Sequence, residues 1–241
     1  MAVQVVFVHG IRTSATMWRA QLEYLRDRGV AAVAVDLPGH GTRLGETFAL
    51  EGAFVTIDRA VREAADAGPV LLVGHSMGGL LCTAYVGDEN RPPVDALIAA
   101  SCTAIPRGVG LGAYRALARG FNRLPGRGQW FTDRVLAGTL PLETRQDFGA
   151  GGYAYDAQDA ALTSLSILDL LAALRRIDVP TWFINGQYDQ LRVNEKLFVS
   201  QVPDSELFVV PRTTHLVTAM RPQVFNALLG VAIATLDSAQ R

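Results

Sequence analysis

Val70-Leu71-Leu72-Val73-Gly74-His75-Ser76-Met77-Gly78-Gly79 is the stretch on which the fold turns. Its first four residues form an apolar run of strand length, and the apolar segment 80–86 beyond it reads as a helix. Between the two, a serine has a glycine two residues before it and another two residues after it. This spacing suits a sharp strand-to-helix turn, where the serine is held in a strained conformation and bulk at the flanking positions would stop the turn from closing. The helix start then points its free amides and positive dipole end at the serine oxygen. The stretch predicts a strand, an exposed nucleophile at its carboxyl end and a helix behind it.

The same alternation runs outward in both directions. Residues 3–8, 30–35, 96–100, 181–184 and 207–210 are further apolar runs, each too continuous for a half-exposed strand. They predict an α/β protein with a mostly parallel sheet of about six strands and helices on both faces. Ser14 is a candidate N-cap for a helix carrying Trp18, Leu22 and Leu25, which Gly29 ends. Phe54, Ile57 and Val61 mark a helix within 50–67, closed by Gly68-Pro69, and Pro222 opens a last one with Val224, Phe225, Leu228 and Leu229. From 102 to 178 the alternation lapses into aromatic, Arg- and Gly-rich segments that end in a predicted long helix over 156–177. That is too long for an ordinary connection. Residues 1–102 and 178–241 are therefore expected to form the core, with 103–177 inserted as a helical cap.

Composition narrows the function classes. The 241 residues hold 22 Lys+Arg against 23 Asp+Glu, a net charge of -1, which offers no field for nucleic acid or an anionic membrane surface. No apolar run is long enough to cross a bilayer, and Met1 leads into the first strand without a basic flank or cleavage site. Cys82 and Cys102 supply neither a disulfide framework nor metal-ligand spacing. The expectation is a cytoplasmic protein with reduced thiols, no metal or cofactor, and a small-molecule substrate as its partner.

A serine hydroxyl needs a base, and four histidines compete for the role. His9 and His40 lie in loops after the first two strands, and His75 precedes Ser76 with its side chain expected to point away. His215, just past the last strand, is the candidate base. Its acid should sit at the end of a neighbouring strand: Asp189, in Asn185-Gly186-Gln187-Tyr188-Asp189, is favoured over Asp36, whose turn Asp36-Leu37-Pro38-Gly39-His40-Gly41 suits a carboxylate that caps backbone amides. Two amides should hold the carbonyl oxygen as it gains charge, those of Met77 and Ile11, so a proline at Ile11 should harm more than a change of its side chain.

Together, His9-Gly10, the 36–41 turn, 74–79, Gly186-x-x-Asp189 and His215 resemble the signature series of the α/β-hydrolase superfamily from first strand to last helix. The resemblance implies that the chain starts at the family's third strand, as in the compact methylesterase and hydroxynitrile lyase group, with the 102–178 stretch where the family inserts its cap. Members that open epoxides or remove halides carry Asp at the nucleophile position, and the similar lyases carry Lys after the histidine. Here those positions hold Ser76 and Leu216, which favours the esterase branch.

The expected activity is cleavage of a carboxylic ester, lactone or thioester through an acyl-enzyme. A non-hydrolytic enzyme of the same fold (carbon–carbon cleavage, acyl transfer or perhydrolysis) and a ligand receptor with low turnover are the alternatives. Arg12, after the oxyanion loop, is a candidate for a substrate carboxylate or a solvated loop arginine. Cys102 either lines the pocket or packs, and packing is favoured for lack of an activating partner.

Overall fold

The computed structural model describes residues 1–90 and 92–239. Strand β1 (Gln4–Val8) leads through a 3₁₀ turn at Ala15–Trp18 to helix α1 (Arg19–Arg26), then β2 (Ala31–Val35) and α2 (Leu50–Ala65). Next come β3 (Val70–His75), α3 (Met77–Val86) and β4 (Ala96–Ala100). Five helices follow: α4 (Gly108–Asn122), α5 (Gln129–Thr139), α6 (Leu142–Ala150), α7 (Ala157–Ser166) and α8 (Leu170–Arg176). The chain then returns to the sheet as β5 (Thr181–Gly186), α9 (Glu195–Gln201), β6 (Ser205–Val210), α10 (Val217–Met220) and α11 (Pro222–Ala239).

The six strands are parallel and ordered β2-β1-β3-β4-β5-β6. Because side chains alternate across a strand, each central strand feeds two cores. Val6, Val8, Leu72 and Leu97 pack with Ile57, Val61 and Leu81 on one face, while Val5, Phe7, Val73 and Ile98 pack with Trp18, Leu25, Phe225 and Leu229 on the other. Each such side chain contributes about 1.5–3 kcal/mol by leaving water. This two-sided burial is what the continuous apolar runs predicted.

Two expectations need correction. β2 and β6 form the edges of the sheet, so they are only partly covered: Val33 and Val209 remain exposed. Each edge strand still meets both cores, Val35 and Leu207 on one face and Ala34 and Phe208 on the other, but has a neighbouring strand on one side only. The single helix expected over 156–177 is two, α7 and α8, bent by 65° between them. Asp169 caps the second by accepting from the Ala172 amide at 3.1 Å, which restarts the helix in a new direction. Among the described residues no single helix is long and apolar enough to cross a membrane.

The strand order reverses direction at β1: one crossover leads from β1 to β2, the next passes back to β3 on its other side. Open sheets bind ligands at the carboxyl ends of strands flanking such a point. β1 ends at His9-Gly10 and β3 ends at Ser76, so the nucleophile predicted from sequence lies at the switch.

Candidate active site

Ser76 has φ 54° and ψ -117°, a conformation that side chains other than glycine rarely adopt. The neighbouring glycines explain how it is held. A methyl at Gly74 would come 2.5 Å from the Gly78 carbonyl oxygen, and one at Gly78 would strike the Val8 carbonyl. A methyl at Gly10 would come 2.9 Å from His75 Nδ1. The strain extends along the sheet edge: Arg12, Ser101 and Arg212 also have positive φ and lie beyond β1, β4 and β6. Strained backbone gathered at the carboxyl ends of strands is characteristic of a functional region.

The structure brings Ser76, His215 and Asp189 into one hydrogen-bonded chain. His215 Nε2 lies 2.8 Å from Ser76 Oγ, and His215 Nδ1 lies 3.0 and 3.1 Å from the two Asp189 oxygens. The carboxylate can only accept from Nδ1, which leaves Nε2 free to accept the serine proton. Asp189 is itself fixed by the Leu191 amide at 2.8 Å. Burial opposes its ionisation, but hydrogen bonding from His215, the attraction of that imidazole and the Leu191 amide outweigh it, holding the carboxyl below its ordinary range. The loops that carry acid and base are tied together, since the Tyr188 amide donates to the Thr213 carbonyl at 2.9 Å.

The other three histidines have structural places. His9 Nε2 accepts the Leu37 amide at 3.1 Å, so its proton is on Nδ1 and goes to the Gly10 carbonyl at 2.7 Å. His40 bonds the Pro38 carbonyl at 3.0 Å. His75 makes no hydrogen bond to Ser76 among the described residues; its ring lies 5.2 Å from that of His215, and it has a duty the sequence did not disclose. Its Nε2 donates to the main-chain carbonyl of His215 at 2.9 Å and so fixes the loop that carries the base. Burial, reinforced by the other imidazoles nearby, lowers both His9 and His75 to about 3, so both are neutral. Asp36 is occupied elsewhere: it accepts the Ala15 amide at 2.8 Å and both the amide and hydroxyl of Thr42.

The Ile11 and Met77 amides find no hydrogen-bond acceptor among the described residues, although Met77 is buried. Both residues line the space around Ser76. Two cavities meet there. The larger, about 340 Å³, is apolar and lined by Leu80, Ile105, Leu111, Leu162, Leu165 and Leu191 among others. The smaller, about 200 Å³, is bounded by Arg12, Thr132, Leu136, Tyr153 and His215. Tyr114, on α4, borders both, and nothing in its sequence context marked it. Cys102 packs against Gly79, and burial pushes its thiol well above the ordinary range. Cys82 is likewise a buried free thiol.

Residues 5–228 match the model of the alpha/beta hydrolase family. The chain belongs to this family. A non-heme haloperoxidase from Rhodococcus erythropolis is 26% identical over 260 residues, covering 92% of this chain and 89% of its own. Among solved structures, a thermophilic esterase from Thermogutta terrifontis superposes with a TM-score of 0.76 at 22% identity, covering 98% of this chain and 91% of that one. A bromoperoxidase from Bacillus anthracis gives 0.79 at 19% identity, with 98% and 92% covered. The two structures share the fold.

Proposed function

We propose that this protein is a serine hydrolase that cleaves a carboxylic ester, lactone or thioester of a small, apolar substrate through an acyl-enzyme. The observation that carries the reading is the unbroken path Ser76–His215–Asp189 beside two amides with no acceptor of their own. Ser76 Oγ attacks the carbonyl carbon while His215 Nε2 takes its proton. Asp189 holds the imidazole in the required tautomer and stabilises its charged form. The carbonyl oxygen becomes anionic and accepts from the Ile11 and Met77 amides, an interaction worth about 3–4 kcal/mol per donor. His215 then gives its proton to the leaving oxygen, the carbonyl re-forms, and water repeats the cycle to release the acid and restore Ser76.

The segment 103–177 acts in this reading as a cap over the site. Its contribution to the larger cavity, Ile105, Leu111, Leu162 and Leu165, supplies apolar walls suited to an acyl chain. The whole-length similarity to a haloperoxidase supports a second outcome at the same serine. If hydrogen peroxide in place of water attacks the acyl-enzyme, the products are a peroxyacid and free Ser76. Product analysis with peroxide present separates the two.

The reading is tested by treating the folded protein with a fluorophosphonate and mapping the adduct by peptide mass spectrometry. Label on Ser76, lost on heat unfolding and absent in Ser76→Ala, is the expected result. An unlabelled Ser76 in folded protein refutes the proposal.

A further inference from the structure

The two cavities at Ser76 differ in a way that the proposed reaction gives direction to. His215 must deliver its proton to the leaving oxygen, so the leaving group has to lie on the histidine side of the serine. His215 lines the smaller cavity and not the larger one. The apolar cavity is then left for the acyl part, and the smaller one for the leaving part.

Arg12 supplies the chemistry of that smaller cavity. Its backbone has φ 65°, and its guanidinium lies 4.5 Å from the centre of the Tyr155 ring. Among the described residues its guanidinium makes one hydrogen bond, to Asn122 Oδ1, and that one is long at 3.4 Å. No carboxylate pairs with it among the described residues. Asp133, the exposed acid on α5, accepts from Tyr153 at 3.5 Å instead, and Asp156 and Asp159 are taken by Arg127, Arg115 and Arg119. A half-buried guanidinium without a counter-ion is costly in the empty state and strongly favours an anion.

Its surroundings point the same way. Tyr114 lines the cavity, and its hydroxyl has no hydrogen-bond partner among the described residues. Burial raises the Tyr114 phenol above its ordinary range, so it presents a neutral donor, whereas the Tyr153 hydroxyl is directed to Asp133. Between residues 107 and 134 the chain holds six arginines, Arg107, Arg115, Arg119, Arg123, Arg127 and Arg134, against the single acid Asp133. Asp159 and Asp156 offset part of this excess by pairing with Arg115, Arg119 and Arg127, which leaves a smaller positive bias along the segment.

We infer that the smaller cavity binds the leaving group and that Arg12 recognises a carboxylate on it, so the substrate is an apolar acyl ester of a hydroxy acid. This inference rests on the serine hydrolase reading and names its substrate class. Arg12 is a specificity residue here: it touches the departing part, and plays no part in proton transfer. Stacking on Tyr155 alone would give it a structural role but no preference between charged and neutral leaving groups.

The test compares two near-isosteric esters, 3-carboxyphenyl butanoate and 3-carbamoylphenyl butanoate, on wild type, Arg12→Gln and Arg12→Lys. Wild type should favour the carboxylate ester in kcat/KM by roughly 10- to 100-fold, the range of one charge-assisted contact. Arg12→Gln should bring the ratio close to one, with Arg12→Lys between. A wild-type ratio of one or less overturns the inference whether or not the variants fold, as does an Arg12→Gln enzyme that keeps the wild-type ratio. It is also overturned if neither ester is cleaved by a protein whose Ser76 still takes the fluorophosphonate. Failure of that label is a different result, and it removes the hydrolase reading itself.

Discussion

A methyl group added at Gly78 would strike the Val8 carbonyl, whereas one added at Gly112, on α4, would meet nothing within 4 Å. The contrast extends to everything around the two residues. At the elbow, β1, β3 and α3 interlock so closely that glycine is a steric requirement. On α4 and α5, by contrast, Gly112, Gly120 and Gly138 all face open space, and Trp130 stands 61% exposed. One region has a single solution dictated by packing. The other leaves room at these positions, as suits the cap role proposed for it.

The sharpest break in this contrast comes from the acid of the site. Asp189→Asn keeps the shape of the loop but no longer holds the imidazole in the tautomer that accepts the serine proton. We expect kcat on an ester to fall about 10⁴-fold, as for the corresponding change in a serine protease, with thermal stability measured alongside to show an intact fold. Gly78→Ala comes next. Its clash is with main chain that cannot move aside, so destabilisation beyond about 3 kcal/mol by denaturant titration is expected.

The pH response belongs to the tight region as well. His9 and His75 are buried and neutral, lowered from 6.5 to about 3. Between those values the unfolded chain binds a proton at each site that the folded chain refuses. Stability is therefore retained above pH 6.5 and lost as pH falls, by about 1.4 kcal/mol per pH unit per histidine. Unfolding midpoints measured from pH 7 to pH 4 should decline accordingly, and His75→Gln should flatten the slope. The smallest effect lies in the loose region: Gly112→Ala should be neutral or stabilise by up to about 1 kcal/mol, through helix propensity alone. If it destabilises instead, the helical segment is packed more tightly than its open glycines indicate.

The same contrast explains what could be read in the sequence. The strands were legible because two-sided burial leaves continuous apolar runs, and the elbow because only glycine fits beside Ser76. Asp189 and His215 followed from their positions just past β5 and β6. What escaped depends on how distant segments meet. The duty of His75 requires knowing that the His215 carbonyl lies within 2.9 Å, and the position of Tyr114 between the cavities depends on where α4 rests. The break between α7 and α8 was hidden because Leu162, Leu165, Leu168, Leu171 and Leu174 recur every three residues across it, while Asp169 caps the second helix.

The covalent role of Ser76 can be observed directly. A short nitrophenyl ester is mixed with the protein, quenched in acid within milliseconds and digested for mass spectrometry. The account predicts the acyl mass on the peptide carrying Ser76, formed during the burst of nitrophenol and lost as turnover proceeds, with neither burst nor adduct in Ser76→Ala. Steady ester cleavage without that adduct, or undiminished cleavage by Ser76→Ala, would contradict it.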